Sequence, residues 1–181
     1  MTEDADLVRR ATTGDGRAFE ELVRRYTRAS YSVALGIMKE PADAEDVIQD
    51  AFVKALERIE DCDPQRFGAW LLRIVRNRAH SVRRYLSVRE AVPLDAVPTA
   101  SGGPGPQRQA ERSQLRRELT VAIGELTEVQ RQVVLLHDLE GWKHREIGEL
   151  LDLPEGTVRA HLFHARRALR EHDALRRARE G

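Results

Sequence analysis

The chain has 181 residues, with 30 basic and 30 acidic side chains, 41% apolar and 33% charged content. That length gives one or two small domains with modest cores. The absence of any apolar run of about 18 residues argues against a bilayer-spanning protein, the start MTEDADLVRR offers no apolar stretch for an export signal, and the lone Cys62 builds neither an internal disulfide nor a cysteine metal site, so a reducing cytoplasm is the expected compartment.

A net charge of zero hides strong segregation. Asp15-Gly16 opens a helical pattern through Phe19, Leu22, Val23, Tyr26, Val33, Ala34 and Ile37. Glu40-Pro41-Ala42 breaks it. Asp43 is the expected cap of the next helix, whose apolar face is Ala44, Val47, Ile48, Ala51, Phe52, Ala55, Leu56 and Ile59. Its outward face is acidic, with Asp43, Glu45, Asp46, Gln49 and Asp50. Part of that charge is satisfied by the positive helix N-terminus; the surplus beside an apolar face suits a basic protein partner.

Asp61-Cys62-Asp63-Pro64 reads as a loop. A third helix follows with Phe67, Trp70, Leu71, Ile74, Val75, Val82 and Tyr85 on its apolar side. Its other stripe holds Arg73, Arg76, Asn77, His80 and Arg84, with Arg83 alongside. Arginine holds phosphates and stacks on bases, and asparagine pairs with adenine edges. The same stripe also reads as a solvated basic face, and Phe67 as either a base-stacking platform or a core residue. Arg78 falls on the apolar arc, so it must snorkel, pair with an acid or mark a distortion.

Residues 87–112 carry VPLDAVPTASGGPGPQRQ, which has no helical period. Such a segment buries too little apolar area to offset its chain entropy and reads as an extended linker. Its roughly 26 residues reach on the order of 85 Å. Beyond it, Leu115, Leu119, Ala122, Ile123 and Leu126 resume a helical spacing. Thr127-Glu128-Val129-Gln130 is a capping box, and Gly141 suits the end of that helix.

A short helix with Ile147, Leu150 and Leu151 inward, a turn at Asp152-Leu153-Pro154, and a last helix from Glu155 to about Arg177 give helix-turn-helix spacing. The last helix buries Val158, Leu162, Ala165 and Leu169. It presents Thr157, Ala160, His161 and His164 between Arg159, Arg166, Arg167 and Arg170. A recognition helix puts its N-terminal residues at base edges and its flanks at phosphates; an ordinary helical hairpin with a charged face has the same spacing. His161 and His164 lack a third metal ligand nearby. No P-loop, metal-ligand set or nucleophile–base arrangement points to an enzyme. The expected fold class is all-α: two small helical domains, 1–86 and 113–181, joined by the linker 87–112.

These blocks resemble the bacterial sigma-70 family, in particular its extracytoplasmic-function (ECF) group. GDGRAFEELVRRY, PADAEDVIQDAFVKAL and WLLRIVRNRAHSVRR are similar to the sigma-2 domain. LTEVQRQVVLLHDLEGWKHREIGELLDLPEGTVRAHLFHARRALRE is similar to the sigma-4 domain.

The resemblance implies a dissociable specificity subunit of RNA polymerase with no cofactor and no catalysis of its own. It implies that Asp43, Glu45, Asp46, Gln49 and Asp50 bind the β′ clamp helices of core polymerase. The loop at Asp61 to Phe67 with Arg73, Arg76, Asn77, His80, Arg83 and Arg84 would open and read the −10 element, and the linker would thread toward the polymerase active centre. Lys143, Arg145, Glu155, Thr157, Arg159, Ala160, His161, His164, Arg166 and Arg167 would meet the −35 element in promoter DNA, and the apolar side of sigma-4 would dock the β flap. It implies control by an anti-sigma factor. The chain departs from the family at Ala160, His161 and His164, where Ser and Arg are frequent, at Lys143, where a Ser or Thr cap is usual, and at Arg78, where the family is usually apolar. A rival reading makes the chain a helix-turn-helix regulator whose N-terminal half only dimerises or senses.

Overall fold

The computed structural model describes residues 3–38, 40–90 and 118–172, and all their regular structure is helical. Helix α1 spans Glu3–Thr12 and was not expected from the sequence. Its first turn holds Glu3, Asp4 and Asp6 and its last holds Arg9 and Arg10, matching the helix dipole at both ends. It buries Ala5, Leu7, Val8 and Ala11. Gly14, at φ 93°, takes the left-handed turn that ends it. Asp15 then caps α2, Gly16–Met38, its Oδ1 accepting from the N–H groups of Arg17 and Ala18 at 3.1 and 3.2 Å.

Helix α3 spans Pro41–Glu57. The expected cap, Asp43, lies inside its first turn. The helix starts earlier because Pro41, with φ fixed by its ring and no N–H to satisfy, suits the first position. Short 3-10 turns at Ile59–Asp61 and Pro64–Arg66 lead into α4, Phe67–Glu90. Helices α2, α3 and α4 pack mutually, with α1 against one end of α2.

The C-terminal module opens with α5, residues 118–125. Thr127 caps α6, Glu128–Val134: its Oγ1 accepts from the Gln130 N–H at 3.3 Å while Gln130 Oε1 accepts from the Thr127 N–H at 3.1 Å. The helix runs on as a π-helical turn, Leu135–Leu139, and Gly141 at φ 73° redirects the chain. Helices α7, His144–Leu151, and α8, Glu155–Glu171, form the helix-turn-helix. Helix α8 stops short of the expected Arg177, with His172 already extended; the expected linker 87–112 starts too early, since α4 continues through Glu90, and the rest of it lies outside the described residues, as do 113–117 and 173–181.

The two modules share a core. One apolar cluster runs from Ala29, Val33 and Ile37 of α2 and Leu72, Val75 and Ala79 of α4 into Val133, Leu136, Ile147, Leu150 and Val158. At the junction a Cβ on Gly36 would fall 2.9 Å from Gln132 Cγ, so only glycine lets α2 and α6 approach this closely. Arg131, 3% exposed, donates to the carbonyls of Gly36 at 2.6 Å, Leu126 at 2.8 Å, Ile123 at 3.0 Å and Gly124 at 3.2 Å. It thereby satisfies carbonyls at the ends of α5 and α2. No helix among the described residues is long and apolar enough to cross a membrane.

Candidate nucleic-acid interface

Three surfaces carry the residues singled out in the sequence. The first is the basic stripe of α4. Leu71, Leu72, Val75 and Ala79 are buried on one side. Arg73, Asn77, Arg83 and Arg84 are exposed on the other, with Arg76 and His80 half-buried between them. Asn77, His80, Ser81, Arg83, Arg84 and Ser87 line a shallow polar groove.

Much of the stripe is already engaged. Arg83 pairs with Glu128 and donates to His80 Nδ1 at 3.2 Å, while His80 Nε2 lies 3.5 Å from Glu128 Oε1. Arg73 donates to the Glu149 carbonyl at 3.5 Å, and Arg66 to the Glu149 carboxylate at 3.1 Å. Burial is the largest influence on His80 and lowers its pKa from 6.5; Glu128 opposes the shift, and Arg83, Arg76 and Arg84 add to it. Hydrogen bonds from Arg145 and then Arg66 hold the Glu149 carboxyl below its ordinary range.

Phe67 departs from one of its two expected roles. It is 2% exposed, edge-to-face with Tyr26 at 5.4 Å and tilted against Trp70 at 6.0 Å. A ring so enclosed cannot stack on a base; it anchors the loop from beneath. Tyr26 closes over Gly68, where a Cβ would lie 2.7 Å from its Cε1, and its hydroxyl donates to Asp4 at 2.7 Å. Asp63 stiffens the loop by accepting from the Gln65 N–H at 3.0 Å.

The second surface is α3. Glu45, Asp46, Gln49 and Asp50 are exposed and Asp43 half-exposed. Val53 and Leu56, 59% and 49% exposed, continue it as an apolar strip. Arg78 resolves here: its Nε and Nη2 donate to Asp50 Oδ2 at 3.0 and 2.6 Å, tying α4 to the acidic face of α3.

The third surface is the helix-turn-helix. A Cβ on Gly148 would lie 2.6 Å from the Leu153 carbonyl, which itself accepts nothing from Gly148; instead the Leu153 N–H donates to the Gly148 carbonyl at 2.9 Å. Asp152 takes the left-handed turn at φ 58°. Lys143 stands at the cap position of α7, and since an ammonium accepts no hydrogen bond, the cap is half-made: Glu146 accepts from the Lys143 N–H at 2.8 Å. Val158, Leu162 and Ala165 hold α8 against the module. Its outer face shows Ala160 and His164 exposed and Thr157 and His161 half-exposed. Among the flanks, Arg159 pairs with Glu155, Arg167 with Glu171 at 2.8 Å, and Arg166 with Asp138, while Arg145 pairs with Glu149 at 3.2 Å. The Arg166 hydrogen bond is the main reason the Asp138 carboxyl sits below its usual range. Phe163, 58% exposed, lies on the same outer side. No group of three His, Cys, Asp or Glu side chains among the described residues is placed to hold a metal.

Sequence spacing did not reveal Glu128, Glu140, Glu149 or Arg131 as junction residues. Ser32 Oγ bonds Glu140 at 3.1 Å across a separation of 108 positions, and no local periodicity encodes such a pairing.

The family model for Sigma-70 region 2 matches residues 22–87, and that for Sigma-70, region 4 matches 116–169. Among curated relatives, the RNA polymerase sigma factor CnrH of Cupriavidus metallidurans is 35% identical over 179 residues, covering 92% of this chain and 93% of its own. The ECF RNA polymerase sigma-E factor of Escherichia coli K12 is 32% identical, with 92% of each chain covered. The ECF RNA polymerase sigma factor SigE of Mycolicibacterium smegmatis is 33% identical, and this chain spans 64% of its length. Among solved structures, CnrH in complex with the cytosolic domain of CnrY superposes with a TM-score of 0.68 at 30% identity, covering 92% of this chain and 94% of that one. The sigma factor RpoE with the anti-sigma factor NepR from Bartonella quintana gives 0.66 at 21% identity, over 84% of this chain and 94% of that one, a likeness of fold. With both regions in order and relatives matched nearly end to end, the chain belongs to the sigma-70 family, in its extracytoplasmic-function group of RNA polymerase sigma factors.

Proposed function

We propose that the chain gives core RNA polymerase its choice of promoter through two DNA-facing helices on separate modules. The observation that carries this is the pairing of α4 and α8. Each buries one apolar face and turns arginine, with short donor residues between, to the outside. A regulator that used only the helix-turn-helix would leave the α4 stripe and the acidic-apolar face of α3 without a role.

In this reading the modules are 1–86 and 113–181, joined by 87–112. Asp43, Glu45, Asp46, Gln49 and Asp50 meet the basic β′ clamp helices, with Val53 and Leu56 adding apolar contact. Arg73, Arg76, His80, Arg83 and Arg84 hold the −10 backbone while Asn77 reads a base turned out of the non-template strand. Flipping a base costs a few kcal/mol, offset by stacking and edge hydrogen bonds. The pocket wall is the loop above Phe67 rather than the Phe67 ring itself. Thr157, Ala160, His161 and His164 face the −35 bases; Lys143, Arg145, Glu155, Arg159, Arg166 and Arg167 border them. The β flap docks on the apolar side of the C-terminal module. CnrH is bound by CnrY, and an anti-sigma factor holds this chain in the same manner. Nucleotide addition stays with polymerase, and the place of action is the cytoplasm.

The test is reconstitution. Core polymerase, with and without the chain, is given sheared DNA of the genome that encodes it, and transcript 5′ ends are sequenced. The expected result is a small set of start sites that require the chain and share −35 and −10 sequences. Start sites unchanged by the chain would refute the assignment.

A further inference from the structure

Arg78 has no part in the promoter-reading stripe of α4. It shares an arc with Val75 and Ala79, which are buried, and Val82, which is partly so, at the spacing i, i+3, i+4 and i+7. This arc faces the neighbouring helices, and α4 packs on α2 and α3. From it Arg78 reaches across to α3, where Nε and Nη2 both donate to Asp50 Oδ2, at 3.0 and 2.6 Å.

The acid it takes has a particular place. Asp46, Gln49, Asp50, Val53 and Leu56 follow one another at i, i+3, i+4, i+7 and i+10, so they form a single stripe along α3. Asp50 is its middle, between the acids of the first turns and the exposed apolar pair Val53 and Leu56. Among the described residues, Asp43, Glu45 and Asp46 enter no ion pair, and Asp50 is the one carboxylate of the face that does. Lys54 stands four positions on along the same helix, at the spacing local pairs use, yet Asp50 takes the guanidinium from α4 instead.

Folding stability does not account for the pair. The Arg78 and Asp50 side chains are 43% and 54% exposed, and ion pairs so exposed add little to stability. What the pair alters is the charge of the outward face. A carboxylate holding a guanidinium this closely presents little net charge to a cation arriving from outside, and the permanent charge of Arg78 repels that cation at short range.

We propose that Arg78 is an affinity-setting residue for core polymerase: by holding Asp50, it withholds the central carboxylate of α3 from the basic surface that docks there and weakens the grip. The proposal rests on the reading of α3 as the polymerase-binding face. The unpaired acids on one side of Asp50 and Val53 and Leu56 on the other still engage, so the complex forms with one anchor held back. A cation that takes Asp50 must first displace Arg78, and the exchange of one ion pair for another yields little net gain. The chain therefore binds core polymerase less tightly than its count of acids implies.

The test is a double-mutant cycle on the affinity of the full-length chain for core polymerase. In about 0.05 M salt, Arg78→Gln should tighten binding about fivefold, the upper end of what one exposed charge pair contributes. In about 0.5 M salt the gain should shrink below twofold as screening takes over. With Asp50→Asn already present, Arg78→Gln should tighten binding less than twofold, since no carboxylate remains to be released. Equal gains in both backgrounds would mean that only net charge matters and would overturn the proposal. Weaker or unaltered binding by Arg78→Gln, the outcome expected of a residue that merely joins α4 to α3, would overturn it too. Arg78→Lys, which keeps a cation within reach of Asp50, should stay within twofold of the parent; a gain equal to that of Arg78→Gln contradicts the proposal. A second comparison leaves Arg78 in place and does not depend on how the glutamine variant folds. Asp46→Asn should cost at least threefold more affinity than Asp50→Asn, because the first removes a free charge and the second a charge already held. Equal losses overturn the proposal. A parent chain that does not bind core polymerase, or whose affinity is unaltered by Glu45→Gln with Asp46→Asn, refutes the assignment of α3 instead, so the two failures are told apart.

Discussion

His80 sits where one side chain answers to charges from two helices at once. Its Nδ1 accepts from Arg83 at 3.2 Å, which directs its Nε2–H toward Glu128. Protonating Nδ1 would set two donors against each other, in line with the lowering that burial produces, reinforced by Arg83, Arg76 and Arg84 and opposed by Glu128. A folded-state pKa below 6.5 means that the folded chain binds the proton less readily than the unfolded one. The contribution of His80 to stability is therefore present above pH 6.5 and is lost as pH falls through the lowered value. Nitrogen-detected NMR titration should find the His80 midpoint below 6.5, and Glu128→Gln should move it further down because the opposing carboxylate is gone. A midpoint at or above 6.5, or an upward move in the variant, would contradict the placement of His80. Arg78 makes a different point at the same scale. The sequence offered three outcomes for a cation on an apolar arc; the acid partner was Asp50, 28 positions away, a distance at which only the packing of α3 on α4 decides.

Among the elements, the helix-turn-helix depends on a single missing Cβ. At Gly148 the added carbon would meet the backbone carbonyl of Leu153 at 2.6 Å, and backbone cannot swing aside as a flexible side chain can. Gly148→Ala should destabilise the chain by about 1–3 kcal/mol, the range for forced overpacking, read as a lower urea midpoint with unchanged slope. It should also weaken −35 binding by tilting α8. A neutral effect would mean that the turn relaxes freely. Local chemistry made much of this level legible beforehand. The Thr127 box, most of the apolar faces of α2, α3 and α8, and the turn at Asp152 follow from residue spacing that the fold keeps; Leu56, expected on the buried face of α3, is instead exposed, and Leu169 of α8 is only partly buried. Helix α1 escaped notice because Ala5, Leu7, Val8 and Ala11 share one face but only two of them are large, among six charged or hydroxyl side chains, so its overall polarity masks a clear helical period. The start of α3 was misplaced by three residues because Pro41 outweighed the capping preference of Asp43. Phe67 could not be assigned, since an aromatic at the head of a basic helix looks the same whether it faces the core or a base.

For the molecule as a whole, the decisive contacts join residues far apart in sequence. Arg66 to Glu149 spans 83 positions, and Arg83 to Glu128 spans 45. Hydrophobic periodicity says which face of a helix is buried but not which other face covers it, so the two modules were legible and their junction was not. Binding to a full promoter should carry the mark of both basic helices together. If about six phosphates are neutralised by the holoenzyme's sigma contacts, log K should fall against log salt with a slope near −5. Replacing Arg83 and Arg84 by glutamine should flatten that slope by about 2 without changing which promoter is chosen, because phosphate contacts position and base contacts specify. A slope that these substitutions leave untouched would remove α4 from the DNA.

The unpaired oxygen of Gln132 gives this seam an unusual temper. Were α2 and α6 forced apart, solvent would reach that amide and supply the bond it lacks, so hydration would favour the parting. A seam closed by carbon alone would grip harder and let go more slowly. An amide without its full complement of bonds therefore lowers the cohesion of this seam below what its buried carbon would give.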